Sequence, residues 1–108
     1  MGRTKNLNLI KELSKFVNRV KKDFIVNEII LFGSRVRGDI KEESDIDLII
    51  VSEGFRNMNF IERAARMYDY WNLDYAVDFL CYTPEEFGVL KKRVSIASQA
   101  IKEGIVLS

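Results

Sequence analysis

The sequence predicts an α/β fold in which helices pack against a small mixed β-sheet. Segments with apolar residues three and four positions apart, as in amphipathic helices, alternate with short runs rich in isoleucine, valine and phenylalanine, as in buried strands. The resulting order of helix, strand, helix, strand, helix, strand, helix is typical of an α/β domain. With 108 residues, the chain has the ordinary size of one domain, so we expect residues 1–108 to share a single core.

The first half of the chain predicts two helices and two strands. A polar lead-in over residues 1–6 precedes an amphipathic helix that extends to about Lys22. Residues 28–32 form an isoleucine-rich run that we assign to the first strand, and residues 45–52 predict the second. Between them, residues 34–38 predict a short helix. The apolar positions of the first helix are Leu9, Ile10, Leu13, Phe16, Val17 and Val20.

The next helix and strand follow a short break in the pattern. Asn59, with Glu62 three residues later, predicts a helix start, and this helix should extend to Trp71. Residues 75–82 predict the third strand. The aromatic residues near the helix end, Tyr68 and Tyr70 included, either pack in the core or supply a partner surface, since aromatic side chains anchor interfaces. The expected apolar stripe of this helix consists of Ile61, Ala64, Ala65 and Tyr68.

The last predicted helix has the clearest start. Thr83 is expected to be its N-cap, Pro84 its first residue, and Glu86 the residue that completes a capping box. Helical spacing of apolar residues continues as far as Gly104, which should end the helix. Residues 105–107 predict a short edge strand.

The stretch from residue 33 to residue 51 reads GSRVRGDIKEESDIDLIIV and carries the candidate chemistry. Its turn at Gly33 and Ser34 leaves backbone N–H groups free to point at an anion. Asp45 and Asp47 stand two positions apart at the head of a strand, so both side chains point to the same face. Paired carboxylates repel each other without a cation between them, and such oxygen ligands suit Mg²⁺. A phosphate-binding turn beside a magnesium site implies a nucleoside triphosphate and chemistry at phosphorus.

Asp78 is a third candidate carboxylate, within the otherwise apolar run of residues 75–80. Burial of an unpaired carboxylate is costly, so its presence calls for a partner. Taken alone, Asp78 could as well be a structural residue, which faces water or pairs with an arginine, as a metal ligand. Beside Asp45 and Asp47, a metal-binding triad is favoured. Asp74 lies nearer the strand end and is expected to be solvated or to cap the strand.

The composition excludes several other kinds of site. The chain has no histidine, which removes histidine acid–base catalysis, Ser-His-Asp triads and the common zinc sites. The single cysteine, Cys81, cannot form an intrachain disulfide and is expected to be a small apolar strand residue. With a net charge of +1, direct nucleic-acid binding is not expected. No apolar run has the length of a membrane span or the pattern of a secretory signal, so we expect a cytoplasmic protein without membrane contact.

The same central stretch resembles the signature of the DNA polymerase beta-like nucleotidyltransferase superfamily. That signature is a Gly-Ser turn followed, about ten residues later, by Asp-x-Asp at the start of a strand. The chain as a whole resembles the minimal nucleotidyltransferases of this superfamily, which are often paired with HEPN-domain proteins. Val36 stands where the family pattern has alanine, a small change that does not indicate inactivation. The matching residues are Gly33, Ser34, Arg37, Gly38, Ser44, Asp45, Asp47 and Leu48.

The resemblance implies a polymerase beta-like fold and the transfer of a nucleoside monophosphate from a nucleoside triphosphate to an acceptor hydroxyl. ATP is the favoured donor, although the sequence contains no motif that would specify the base. Two Mg²⁺ ions would be held by three catalytic carboxylates, and Asp78 matches the place of the third acid on the next strand. These carboxylates are Asp45, Asp47 and Asp78.

The nucleotide-binding residues implied by the resemblance are Gly33, Ser34, Arg37 and Ser44. Two of them have structural alternatives. Arg37 could instead pair with Asp39 or Glu43, and Ser44 could cap the turn into the strand.

The resemblance also implies a protein partner. The acceptor would be a HEPN-domain toxin RNase modified on a tyrosine hydroxyl, and the chain would be its antitoxin in a homodimer or hetero-oligomer. Two other functions stay open. The protein could silence its partner by contact, with nucleotide bound only for stability, or it could modify a small molecule of the aminoglycoside type, although those relatives usually carry a further helical domain.

Overall fold

The computed structural model describes residues 2–32, 46–93 and 104–108, with side chains from Asn8 onwards. Within these residues, helices pack on a four-stranded mixed sheet of order β3-β2-β1-β4. This architecture confirms the predicted α/β fold. In chain order the elements are α1 (Gly2–Lys21), β1 (Val26–Phe32), β2 (Ile46–Ser52), a 3-10 turn (Glu53–Phe55), α2 (Phe60–Tyr68), β3 (Val77–Tyr82), α3 (Pro84–Lys91) and β4 (Ile105–Val106).

The sheet is mixed because its connections differ in length. Strand β1 runs antiparallel to both β2 and β4. Strands β2 and β3 run parallel, since α2 carries the chain back to the starting edge of the sheet. The first residues of β2 and β3 and the last residue of β1 therefore meet at one edge.

The larger core lies between α1, α2 and one sheet face. Alternate residues of each strand point into it, and the apolar stripe of α1 covers them, as its spacing predicts. An aromatic group closes this core near the end of α2, where Phe16 packs against both Trp71 and Phe79 with ring centroids 5.2 and 5.7 Å apart. The strand residues in this core are Ile29, Leu31, Ile46, Leu48, Ile50, Val77, Phe79 and Cys81.

The opposite sheet face holds a smaller core. Phe87 of α3 packs there against Ile30, Ile49 and Val51, flanked by half-buried Phe32, Leu80 and Tyr82. Because strand residues alternate between faces, Asp47 and Asp78 belong to this second face. On this face the two acids lie at the end of the strands where β2 and β3 begin, next to Ile49 and Leu80 of the smaller core.

Several predicted boundaries differ from the observed ones, and β1 begins at Val26 rather than at residue 28. Helix α1 already begins at Gly2, so the polar lead-in over residues 1–6 is wrong. Helix α2 ends at Tyr68 rather than Trp71, and β3 begins at Val77 rather than at residue 75. The chain leaves α2 through tight turns in which the backbone N–H of Trp71 donates to the Tyr68 carbonyl.

The predicted apolar stripe of α2 is wrong except at Ala64, which packs against the larger core. Ile61 is 82% exposed and Tyr68 49% exposed, whereas the buried residues of this helix are Arg63 and Met67. The Arg63 guanidinium donates to the carbonyl oxygens of Phe55, Met58 and Cys81 and to the Glu86 carboxylate. Because these acceptors form hydrogen bonds with the guanidinium, the charged side chain can be buried beneath the helix without a large desolvation cost.

The N-terminal caps of α2 and α3 are confirmed. The Asn59 side chain accepts from the Glu62 N–H, and Thr83 and Glu86 form the full capping box with Pro84 at the helix start. The short edge strand is confirmed at Ile105–Val106. The prediction of one helix from Pro84 to Glu103 is wrong, because α3 ends at Lys91, where the Lys92 N–H donates to the carbonyls of Val89 and Leu90. Residues 94–103 and the expected helix at residues 34–38 lie outside the described residues.

The Arg63–Glu86 pair makes a prediction for acid stability. The Arg63 guanidinium, 2.6 Å from Glu86, holds the pKa of the Glu86 carboxyl below its ordinary 4.5. Since the folded-state pKa is depressed, the stability that this pair adds is complete above that value and is lost as the pH falls through the folded pKa. We expect Glu86→Gln, which can still close the capping box, to lose less stability on acidification than the wild type. Urea unfolding between neutral pH and pH below 4.5 measures this, and parallel curves for the two proteins would contradict it.

Candidate active site

Asp47 and Asp78 stand side by side on neighbouring parallel strands. They are register partners in the β2–β3 pairing, so both side chains point to the second face from strands about 4.8 Å apart. Asp47 is half-buried, and Asp78 is exposed. The structure thus brings together two of the three predicted carboxylates.

The row of residues across this edge continues into β1. Phe32, the last residue of β1, is the register partner of Asp47 on its other side. Residues 33–45 connect Phe32 to Ile46, so this connection begins and ends next to the acidic pair. The last described residue before position 33 and the first after position 45 thus both lie at this end of the sheet.

The electrostatics of the pair favour a cation. Two adjacent carboxylates destabilise each other when both are ionised. Of the alternatives for Asp78, its exposure agrees with a side chain that faces water. In the described part of the chain, no lysine or arginine forms an ion pair with Asp78, so the arginine-paired alternative finds no support there. Carboxylate oxygens at one exposed edge, with no sulfur or imidazole ligand, fit the preference of Mg²⁺.

The other predicted site residues lie outside the described residues. These are the nucleotide-binding candidates and the first of the carboxylates: Gly33, Ser34, Arg37, Ser44 and Asp45. Among the residues that are described, no group of three potential metal ligands occurs. The roles of these five residues stay predictions.

The sequence reasoning missed how the chain is held just before Asp78. The Tyr68 hydroxyl donates to the Val77 carbonyl at 2.6 Å, and the Trp71 indole N–H donates to the Tyr75 carbonyl at 3.0 Å. A signal for such contacts exists in the sequence, since partly buried Tyr and Trp side chains need a hydrogen-bond partner for their polar ends. The sequence cannot specify the acceptor, because it depends on the tertiary fold.

A comparison with protein families identifies the family of the chain. A sequence profile described as a nucleotidyltransferase domain matches residues 13–107 of this chain. The chain belongs to the nucleotidyltransferase domain family.

Similar proteins agree with this membership. A candidate protein adenylyltransferase of Methanocaldococcus jannaschii is 47% identical over 49 residues, which are 44% of this chain and 49% of that protein. A second one from the same organism is 31% identical over 71 residues, which are 66% of this chain and 71% of that protein. The match thus spans about half the length of the first relative and more than two thirds of the second.

Solved structures share the fold of this nucleotidyltransferase domain. A candidate nucleotidyltransferase from Sulfolobus solfataricus superposes with a TM-score of 0.70 at 24% identity, over 97% of this chain and 84% of that one. A toxin–antitoxin structure with AMP-PNP superposes with a TM-score of 0.56 at 23% identity, over 88% and 72%. At these identities the likeness concerns the fold.

Two other acidic or reactive side chains of the nucleotidyltransferase domain lie apart from the pair. Cys81 is buried in the larger core, and burial raises the pKa of its thiol to about 12. It is therefore a protonated apolar residue rather than a nucleophile, as predicted. Asp74 is exposed and precedes β3.

In the described segments, no helix has the length and apolar character needed to cross a bilayer.

Proposed function

We propose that this nucleotidyltransferase domain transfers AMP from ATP to a hydroxyl group of a partner protein. The observation that carries the proposal is the register pairing of Asp47 with Asp78 at the sheet edge where the 33–45 connection begins and ends. The names of the M. jannaschii relatives, which describe candidate protein adenylyltransferases, support AMP as the transferred group and protein as the acceptor.

The metal sites in this proposal consist of three carboxylates. Asp47 and Asp78 are joined by Asp45, which directly precedes β2. A set of oxygen ligands alone suits Mg²⁺. Two Mg²⁺ ions bound there would neutralise the triphosphate and lower the pKa of the acceptor hydroxyl.

Other residues of the chain bind the phosphates and the nucleotide, and one carboxylate accepts the proton. Gly33 and Ser34 hold the phosphates through backbone N–H groups and the serine hydroxyl. Arg37 adds positive charge, and Ser44 contacts the nucleotide. The acceptor oxygen forms a bond to the α-phosphorus, the bond from that phosphorus to pyrophosphate breaks, and Asp78 accepts the proton of the acceptor hydroxyl.

We further propose that the acceptor is a HEPN-domain toxin and that the domain is its antitoxin, acting in the cytoplasm as part of a hetero-oligomer. The sequence resemblance to minimal nucleotidyltransferases supports this partner. The fold shared with a chain of a toxin–antitoxin structure containing AMP-PNP is consistent with it.

The test of this function is a transfer assay with both proteins. Purified domain, ATP, Mg²⁺ and a candidate HEPN toxin should yield pyrophosphate and a toxin that carries one adenylyl group on a tyrosine, as detected by its increase in mass. Toxin silenced without pyrophosphate release would instead show inhibition by contact. Pyrophosphate release with an aminoglycoside but not with the protein would identify a small-molecule transferase.

Binding of ATP should require a divalent cation. The acidic pair and the triphosphate repel each other unless a cation lies between them. With ATP at about ten times its Kd, ligand linkage adds about 1.4 kcal/mol, which corresponds to a rise in Tm of about 6 °C for a domain of this size. We expect this rise with Mg²⁺ and little change with ATP and EDTA. Equal shifts in both conditions would contradict a metal-bridged site.

A further inference from the structure

The three residues before Asp78, residues 75–77, form a lead-in segment whose carbonyl groups are all held. The Trp71 indole N–H donates to the Tyr75 carbonyl, the Ile46 backbone N–H donates to the Ala76 carbonyl at 2.8 Å, and the Tyr68 hydroxyl donates to the Val77 carbonyl. Only the middle bond comes from the neighbouring strand. Side chains from the end of α2 supply the other two.

Phe79, the residue after Asp78, is held by aromatic packing. The Phe79 ring is packed by Tyr68, Trp71 and Phe16, at centroid distances of 4.9, 5.8 and 5.7 Å. Phe79 and Val77 point into the larger core, while Asp78, between them, points to the other face. The backbone of Asp78 is thus fixed on both sides, although its carboxylate is exposed.

Tyr68 is the side chain that acts on both neighbours of Asp78. Its hydroxyl binds the Val77 carbonyl and its ring packs edge-on against Phe79. Tyr68 is itself 49% exposed, so burial in the core does not account for its placement. Its hydroxyl is instead bound to the carbonyl group immediately before the acid.

We propose that Tyr68 is a positioning residue for Asp78, assisted by Trp71: its hydrogen bond to Val77 sets the place at the sheet edge from which the Asp78 carboxylate meets Asp47 and a shared divalent cation. The inference rests on the proposed function, since it concerns the metal-binding role of Asp78. Small displacements of a site group are costly, because a shift of about 1 Å can lower a rate roughly 100-fold.

The test measures Mn²⁺ binding to the full chain by electron paramagnetic resonance of the free ion. Tyr68→Phe removes only the hydroxyl and should raise the Kd for Mn²⁺ about threefold to tenfold, on the scale of one lost hydrogen bond. The matched control is Tyr70→Phe, which loses a hydroxyl bond to Asp23 at 2.6 Å. Asp23 precedes β1, whose first residue, Val26, pairs with Ser52 at the far end of β2. The control should bind Mn²⁺ as the wild type does, with a urea midpoint lowered at least as much as that of Tyr68→Phe.

The outcomes separate this inference from the proposed function. If the wild type does not bind Mn²⁺, or if Asp78→Asn binds it as tightly as the wild type, the metal-binding role of Asp78 fails and the inference fails with it. If Asp78→Asn binds weakly while Tyr68→Phe and Tyr70→Phe both bind normally, only the inference is overturned. Should Tyr68→Phe not fold, Trp71→Phe, which removes the donor to Tyr75, takes its place with the same expected loss of Mn²⁺ affinity.

Discussion

Asp78→Asn is expected to lower AMP transfer at least ~100-fold, on the scale of losing a charge-stabilising group, while the metal-free fold stays as stable as before or becomes more stable. The reason is the pairing of Asp78 with Asp47 on adjacent parallel strands. In the metal-free protein these carboxylates repel each other, so an amide of nearly the same volume relieves repulsion. In the loaded site the same change removes a ligand and a proton acceptor.

The measurement combines transfer of labelled AMP to the partner toxin with urea unfolding in EDTA. Asp74→Asn is the matched control. Asp74 is also an exposed aspartate, but it precedes β3 and is not part of the register pair. We expect it to leave the rate and the stability unchanged. A destabilised Asp78→Asn with normal specific activity would refute the catalytic assignment and would show a structural acid whose partner had been left unpaired.

Local rules in the sequence predict most of the fold. Strands β1 and β2 were predicted from the isoleucine-rich run before residue 33 and from the apolar run after Asp45. Such runs indicate strands because a strand buried on both faces is rich in apolar β-branched residues. Thr83, Pro84 and Glu86 gave the start of α3, because the capping box involves residues only three positions apart. Where the interaction is local, the sequence pattern is sufficient.

The part of the candidate site that the sequence could not predict is the register between β2 and β3. Asp47 and Asp78 were each identified as candidates, but their adjacency depends on how the crossover through α2 aligns two strands. A slip of one residue would turn Asp78 into the larger core and Val77 outward. The hydrogen bonds from Tyr68 and Trp71 to the lead-in segment hold the chain just ahead of β3, and these tertiary contacts are not visible in the pattern of a single element.

The buried face of α2 shows a second limit. Hydrophobic periodicity treats an arginine as an exposed residue, whereas Arg63 is only 7% exposed. Its acceptors come from the 3-10 turn at Phe55, from Cys81 of β3 and from Glu86 of α3. The sequence pattern of one helix contains no information about hydrogen-bond partners on three other elements. The prediction therefore placed Ile61 in the core and left Arg63 exposed, the reverse of what the structure shows.

Arg63→Met should therefore cause a large loss of stability. Methionine keeps much of the apolar stem of arginine but has no donor, so the carbonyl oxygens of Phe55, Met58 and Cys81 lose the partner that Arg63 supplies. The Glu86 carboxylate also loses its cation, at a smaller cost because it is 47% exposed. Because a buried acceptor left without a donor costs about 1–3 kcal/mol, we expect the free energy of unfolding to fall by about 3 kcal/mol.

Urea unfolding tests this, with Arg66→Met as the matched control one turn along the same helix. Arg66 is 51% exposed, lies 4.0 Å from Asp69 and contacts the Phe24 ring, so its loss should cost no more than about 1 kcal/mol. Equal losses in the two variants would show that Arg63 contributes as an ordinary surface arginine does. The larger loss would instead show that one buried guanidinium holds the 3-10 turn, β3 and α3 to α2, and thereby supports the strand that carries Asp78.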